Sequence, residues 1–165
     1  MTPDDPMTRS FFDQIDDELR GLLGPGLSGY RCVRTGGLIK LWFDDPASHF
    51  EAQRISARSA PEGKPVMEVG LHLEHSSARM NDRILEWLLE RRETWSAALP
   101  RAEAGPAFGP RSARWRRLSE LLDDEGADQA FGGLDDPDFA GEIAERLAHY
   151  VRILQPLLRE SMNGE

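Results

Sequence analysis

The spacing of apolar residues changes several times along the chain, and each change marks an element. The clearest stretch is residues 66–75, where Met67, Val69, Leu71 and Leu73 alternate with Glu68, Gly70, His72 and Glu74. A period of two makes a strand with one apolar and one polar face. Upstream, Phe11, Phe12, Ile15, Leu19, Leu22 and Leu23 recur at helical spacing. They predict an N-terminal helix that starts near Ser10, where Ser10 and Asp13 read as a capping box, and ends at Gly24-Pro25-Gly26.

Three further extended runs lie between that helix and residue 66. Residues 30–34 and 38–43 flank Gly36-Gly37, a dipeptide suited to a two-residue hairpin turn with positive φ. That turn puts Tyr30 and Cys32 on one face with Ile39, Leu41 and Phe43, and Arg31, Val33, Lys40 and Trp42 on the other. A third strand is expected from His49 to about Ile55, followed by a loop over 56–65. Consecutive strands usually pair, so an antiparallel meander results. Its register follows if Ser56 faces Pro65: Phe50 then opposes Leu71, Ala52 opposes Val69, and His49 opposes His72.

Beyond the meander, Ser76-Ser77 offers an N-cap for a central helix bearing Met80, Ile84, Trp87, Leu88, Trp95 and Leu99 as core anchors, stopped by Pro100. Residues 102–110 read as a loop. Residues 114–122 fit a strand or a short helix, and are read as a fifth strand. An acidic loop over 123–136 precedes a long C-terminal helix, capped by Asp136 and striped by Phe139, Ile143, Leu147, Tyr150, Val151, Leu154 and Leu158. Pro156 should kink or shorten it. The prediction is an α+β domain in the order α-ββββ-α-β-α, with a four- or five-stranded antiparallel meander and helices on one sheet face.

Composition narrows the class. A chain of 165 residues suits a single domain over 1–165, with 1–8 as a flexible tail. Its acidic start carries no apolar signal segment, its single cysteine cannot form an internal disulfide, and the cytoplasm is the expected compartment. No apolar run approaches the ~20 residues that cross a bilayer. A net charge of −9 argues against nucleic acid as a partner, because that binding needs many phosphate-neutralising cations. Another protein is the expected partner, or a second copy of the chain, with an acidic patch or an apolar helix face as the docking surface.

Candidate chemistry gathers on the polar face of the meander. The register above assembles His49, Glu51, Gln53, Glu68, His72 and Glu74, flanked by Lys40 and Trp42. Two imidazoles and two carboxylates (His49, His72, Glu51, Glu74) are a ligand set for zinc or another divalent ion, and the one cofactor class the residues suggest. The ordinary alternative is a solvated polar sheet face. A second group, Arg114, Arg116 and Arg117 beside Trp115, could receive a phosphate or an acidic segment, or pair with the chain's own acids. Cys32 reads as a small core residue and His149 as a boundary residue.

Two layouts resemble known families. The order helix, strands, helix, strand over residues 10–122 resembles restriction-endonuclease-like PD-(D/E)xK domains. That resemblance implies a magnesium site with Asp44 or Asp45 as first acid and Glu51-Ala52-Gln53 as the triplet, although Gln53 stands where that family has lysine. The small acidic α+β layout also resembles type III secretion chaperones and bacterial immunity proteins, which implies a non-enzymatic protein-binding module. That module is the function expected from the sequence. Metal binding or hydrolysis on the polar face is the first alternative and a degenerate nuclease the second.

Overall fold

The computed structural model describes residues 6–122 and 137–163, with side chains from Phe11 and Asp138 onward. The expected Asp136 cap and the acidic loop over 123–136 lie outside the described residues. Helix α1 spans Pro6–Leu23, β1 Arg31–Arg34, β2 Leu38–Trp42, β3 Ser48–Ile55 and β4 Val66–Leu73. Then come α2 Ala78–Glu90, the short α3 Arg92–Trp95, β5 Glu103–Pro106, β6 Arg116–Leu122 and α4 Pro137–Asn163. The fold is α+β, and its sheet has six strands in the order β1-β2-β3-β4-β6-β5, every pair antiparallel.

The centre of that sheet has the expected register. Phe50 opposes Leu71, Ala52 opposes Val69, His49 opposes His72 and Gln53 opposes Glu68. Met67, Val69, Leu71 and Leu73 are fully buried, in one core with Phe50, Ala52, Ile39 and Leu41 and with the stripes of α1, α2 and α4. Helix α4 packs on α1 and over β3 and β4, while α2 lies against β6 and β4. Phe11 stacks on Phe139 at 5.7 Å, joining the two terminal helices. At the sheet edge, Tyr30 donates to Asp16 at 2.6 Å and Arg34 pairs with the same carboxylate at 2.7 Å, which ties the β1 end to α1.

Several boundaries differ from expectation, each for a local reason. Helix α1 begins at Pro6, so 6–8 are helical; proline is well suited to a first helical turn, where its missing N–H costs nothing. Leu22 lies off its buried stripe, 37% exposed. The Gly36-Gly37 loop closes through the Thr35 N–H to Leu38 C=O bond, yet neither glycine has positive φ. Gly37 instead offers its carbonyl to the Arg54 N–H, so the turn is held from β3 and does not need the left-handed pair.

The central helix breaks at Arg91, whose φ of −106° and ψ of 24° leave the helical region. The indole N–H of buried Trp95 then donates to Leu88 C=O at 2.8 Å. Met80 is 40% exposed and no core anchor. Residues 103–106, expected as loop, pair with β6 and make the sixth strand. Pro156 neither ends nor shortens α4, which continues to Asn163. Among the described residues no helix is long and apolar enough to cross a membrane.

Gly70 fixes how closely β6 can approach β4. Its φ is +156°, and a Cβ there would sit 2.5 Å from Leu118 O and from the Ser119 Cα. Gly70→Ala must therefore push two backbones apart in the middle of the sheet. Leu71→Ala, one position on, only opens a cavity, at a cost of ~2–5 kcal/mol. Both substitutions should lower the denaturation midpoint without changing the class of far-ultraviolet spectrum. Either variant melting like the parent would contradict this packing.

Candidate metal centre on the buried sheet face

Strand alternation puts His49, Glu51, Gln53, Glu68, His72, Arg117 and Ser119 on the sheet face opposite the helical core. The face is polar, as its pattern predicts, but it is not solvated. His49, Glu51, Glu68, His72 and Ser119 are all 2% exposed or less, which removes the alternative of a solvated face. One end is closed by Ile55, Ala60 and Val66, packed with Phe108 and Leu121. Arg117 lies across the Phe108 ring at 4.1 Å.

Burial makes the donor geometry informative. One atom each from His49, Glu51, His72 and Glu74 lies within 4.8 Å of the other three. The Glu51 Oε2 is 3.2 Å from His72 Nδ1 and 3.6 Å from His49 Nε2. The Glu74 Oε1 is 3.7 Å from each of the same two nitrogens. A tetrahedral zinc site with bonds of ~2.0–2.1 Å has ligand–ligand edges of about 3.3 Å, close to these spacings. Three of the four atoms (His49 Nε2, Glu51 Oε2 and His72 Nδ1) are buried with no hydrogen-bond partner.

The remaining atoms of the four residues are held from behind. The His49 Nδ1 is 2.9 Å from Pro46 C=O; as an N–H donor there, it leaves Nε2 with a free lone pair. The His72 Nε2 faces Glu68 Oε1 at 3.1 Å, off the line of a hydrogen bond. Glu68 in turn accepts from Ser119 Oγ–H and from the Gln53 amide, each at 2.6 Å, and Arg117 donates to Ser119 at 3.0 Å. The second oxygen of Glu74 takes Lys40 Nζ at 3.4 Å, and Lys40 also sits 4.0 Å from Glu51. Carboxylate and carbonyl partners behind metal-bound imidazoles are the usual outer shell of such sites, because they set the tautomer and aim the ring.

Three residues of this face have pKa values displaced by their surroundings. Burial pulls the His72 pKa down, but the charges of Glu68 and Glu51 outweigh it and hold the imidazole well above its ordinary value. Burial pushes Glu68 up, and the His72 charge with the Ser119 and Gln53 hydrogen bonds brings it down to about 2. Glu74 is lowered too: burial opposes, while His72, His49 and Lys40 prevail.

Of the other predicted residues, half-buried Trp42 lies at the rim of the face, on the neighbouring strand β2. The three arginines are not a cluster. Arg116 pairs with Asp82 at 2.6 Å, Arg117 points to the opposite sheet face, and Arg114 donates to Ser76 C=O. Asp44 is taken by Arg159 at 3.2 Å, and neither it nor Asp45 joins Glu51 in the donor group. Ser119 and Arg117 went unassigned to this face because residues 114–122 fit two periods, and only a strand aims both inward. Half-buried His149 bonds Ala98 C=O at 2.9 Å.

The fold and this site define an α+β domain with a buried histidine–carboxylate centre. No family model matches the chain, and neither the curated proteins nor the solved structures contain a match.

The paired shifts have opposite signs. The raised His72 contributes stability fully present below its unfolded pKa of ~6.5 and lost as pH rises through the higher folded value. The lowered Glu68 contributes stability present above ~4.5 and lost as pH falls through about 2. Both contributions coexist between ~4.5 and 6.5. The melting-temperature gap between the ion-free parent and His72→Gln should therefore be widest there and shrink as pH rises toward 9. A gap that stays constant across that range would show that folding leaves the His72 pKa where it lies in the unfolded chain.

Proposed function

We propose that the protein binds one divalent cation of the zinc class through His49, Glu51, His72 and Glu74. The observation that carries this reading is the set of four donor atoms within 4.8 Å of one another, their four imidazole–carboxylate separations at 3.2–3.7 Å and three of them buried without hydrogen-bond partners. These three atoms have ionic contacts at 3.2–3.7 Å but no aligned hydrogen bond, and a bound cation would coordinate all of them. Two imidazole nitrogens favour zinc, cobalt or nickel over magnesium and calcium, which prefer all-oxygen shells.

Four protein ligands fill a tetrahedron, so the site suits a structural ion better than a hydrolytic one with an open coordination position. Its ligands come from β3, β4 and the residue just after β4. The cation would tie the two central strands together, and its binding energy would become folding energy. The protein-binding function expected from layout and charge has no comparably focused arrangement among the described residues.

Free zinc at 100 times its Kd should stabilise by ~2.7 kcal/mol, or roughly 5–10 °C in melting temperature for a chain of this size. The rise should be larger at pH 8 than at pH 6, because the imidazoles must lose protons to ligate. His72→Ala and Glu51→Gln should each abolish it, and cobalt should give the visible absorption of a tetrahedral site. The reading fails if zinc, cobalt and nickel leave the parent's melting curve unchanged and elemental analysis finds no stoichiometric metal.

A further inference from the structure

A second constellation lies at the end of the same strands but uses none of the four donors. Ser48 opens β3 and His75 follows β4 by two residues. The Ser48 Oγ is 2.8 Å from His75 Nε2, and the His75 Nδ1 is 3.9 Å from Asp45 Oδ2. Alternation sends Ser48 to the face opposite His49. The three residues line one cavity of about 350 Å³ with Met80, Ile84, Trp87 and Arg83.

From these residues we infer a serine-nucleophile ester hydrolase site, with Ser48 as nucleophile, His75 as general base and Asp45 as the group that orients it. The order of atoms is the one this chemistry needs: hydroxyl to one ring nitrogen, carboxylate toward the other. With its proton on Nδ1, facing Asp45, the ring presents the Nε2 lone pair to the Ser48 hydroxyl. The 3.9 Å spacing to Asp45 orients by charge and is of the loose kind found before substrate tightens such a site.

The three side chains are mounted on fixed backbone. The Asp45 Oδ1 accepts the Ala47 N–H at 2.9 Å, and the Ser48 N–H donates to Asp45 C=O at 3.1 Å. The Glu74 N–H donates to Ala47 C=O at 2.7 Å and pins the end of β4 to that turn. Fully buried Asn81 holds His75 through both main-chain groups, at 2.9 and 3.1 Å. Trp87, Ile84 and Met80 give the cavity an apolar wall, and Arg83 brings a cation to it. That lining fits a small carboxylic ester with a short apolar chain.

The chemistry balances without any cofactor. Ser48 Oγ bonds to the ester carbonyl carbon as its proton passes to His75 Nε2. Collapse of the tetrahedral adduct breaks the carbon–oxygen bond to the alcohol, which leaves with that proton. Water then attacks the acyl group on Ser48, gives a proton to His75, and the acid departs as the hydroxyl is restored. The net reaction is ester plus water to acid plus alcohol.

The test uses the full chain, an alkyl fluorophosphonate and p-nitrophenyl acetate and butyrate. The probe should modify Ser48, located by peptide mass spectrometry, and His75→Gln should slow that labelling ~10²-fold or more. Ester turnover should fall in step in Ser48→Ala and His75→Gln, and by a smaller factor in Asp45→Asn. Asp45 is 39% exposed, so Asp45→Asn should melt like the parent and separate loss of activity from loss of fold. No label on Ser48, a labelling rate unchanged by His75→Gln, or ester turnover retained by Ser48→Ala would each overturn the assignment.

Discussion

The eight-residue ladder between β3 and β4 is the constraint on which the rest of the structure depends. Because side chains alternate faces along a strand, one register decides the membership of both faces at once. With Phe50 opposite Leu71 and Ala52 opposite Val69, the apolar residues of both strands meet α4 on one side. The same pairing sets His49 beside His72, with rings 5.7 Å apart and nearly parallel. A slip by one residue would turn one strand over, sending His49 and His72 to opposite faces and one strand's core residues onto the polar face. The hydrophobic effect thus holds the register, and the polar constellation follows from it.

That polar face is expensive. Glu51 and Glu68 are 2% and 0% exposed, and taking a carboxylate out of water costs several kcal/mol unless partners replace the lost hydration. The two carboxylates are served differently. Glu68 has a Ser119 hydroxyl, a Gln53 amide and the His72 charge, so it is well compensated. The inward oxygen of Glu51 has only off-line contacts with the two imidazoles. Three of the atoms without an aligned hydrogen bond lie where the four donors converge, and a fourth, His72 Nε2, faces Glu68 behind them.

The two candidate sites share their supports. His49 and Glu74 belong to the donor set, and their chain neighbours Ser48 and His75 form the hydroxyl–imidazole pair on the other side. The turn at 45–48 and the Asn81 clamp hold the neighbours in place. Sheet alternation is what allows one pair of strand ends to serve two separate constellations.

The local alternation of 67–73, the facing of His49 and His72, the stripes of α1 and α4 and the α+β class were all legible in the sequence. Each depends on period and turn chemistry, which act over a few residues. What required the tertiary structure was everything decided by distant neighbours. Polar alternation cannot distinguish a wet face from a buried one, so the burial of Glu51 and His72 was unreadable until Arg117, Ser119 and Phe108 had places. Residues 103–106 carry Gly105 and Pro106 and read as loop, yet β6 supplies a partner edge. Arg91 interrupts a stripe that continues unbroken in sequence, because Trp95 turns back to bond Leu88. The pairing of Ser48 with His75 spans 27 positions, and no motif marks it; it exists because a ladder fixed by apolar burial brings the two strand ends together.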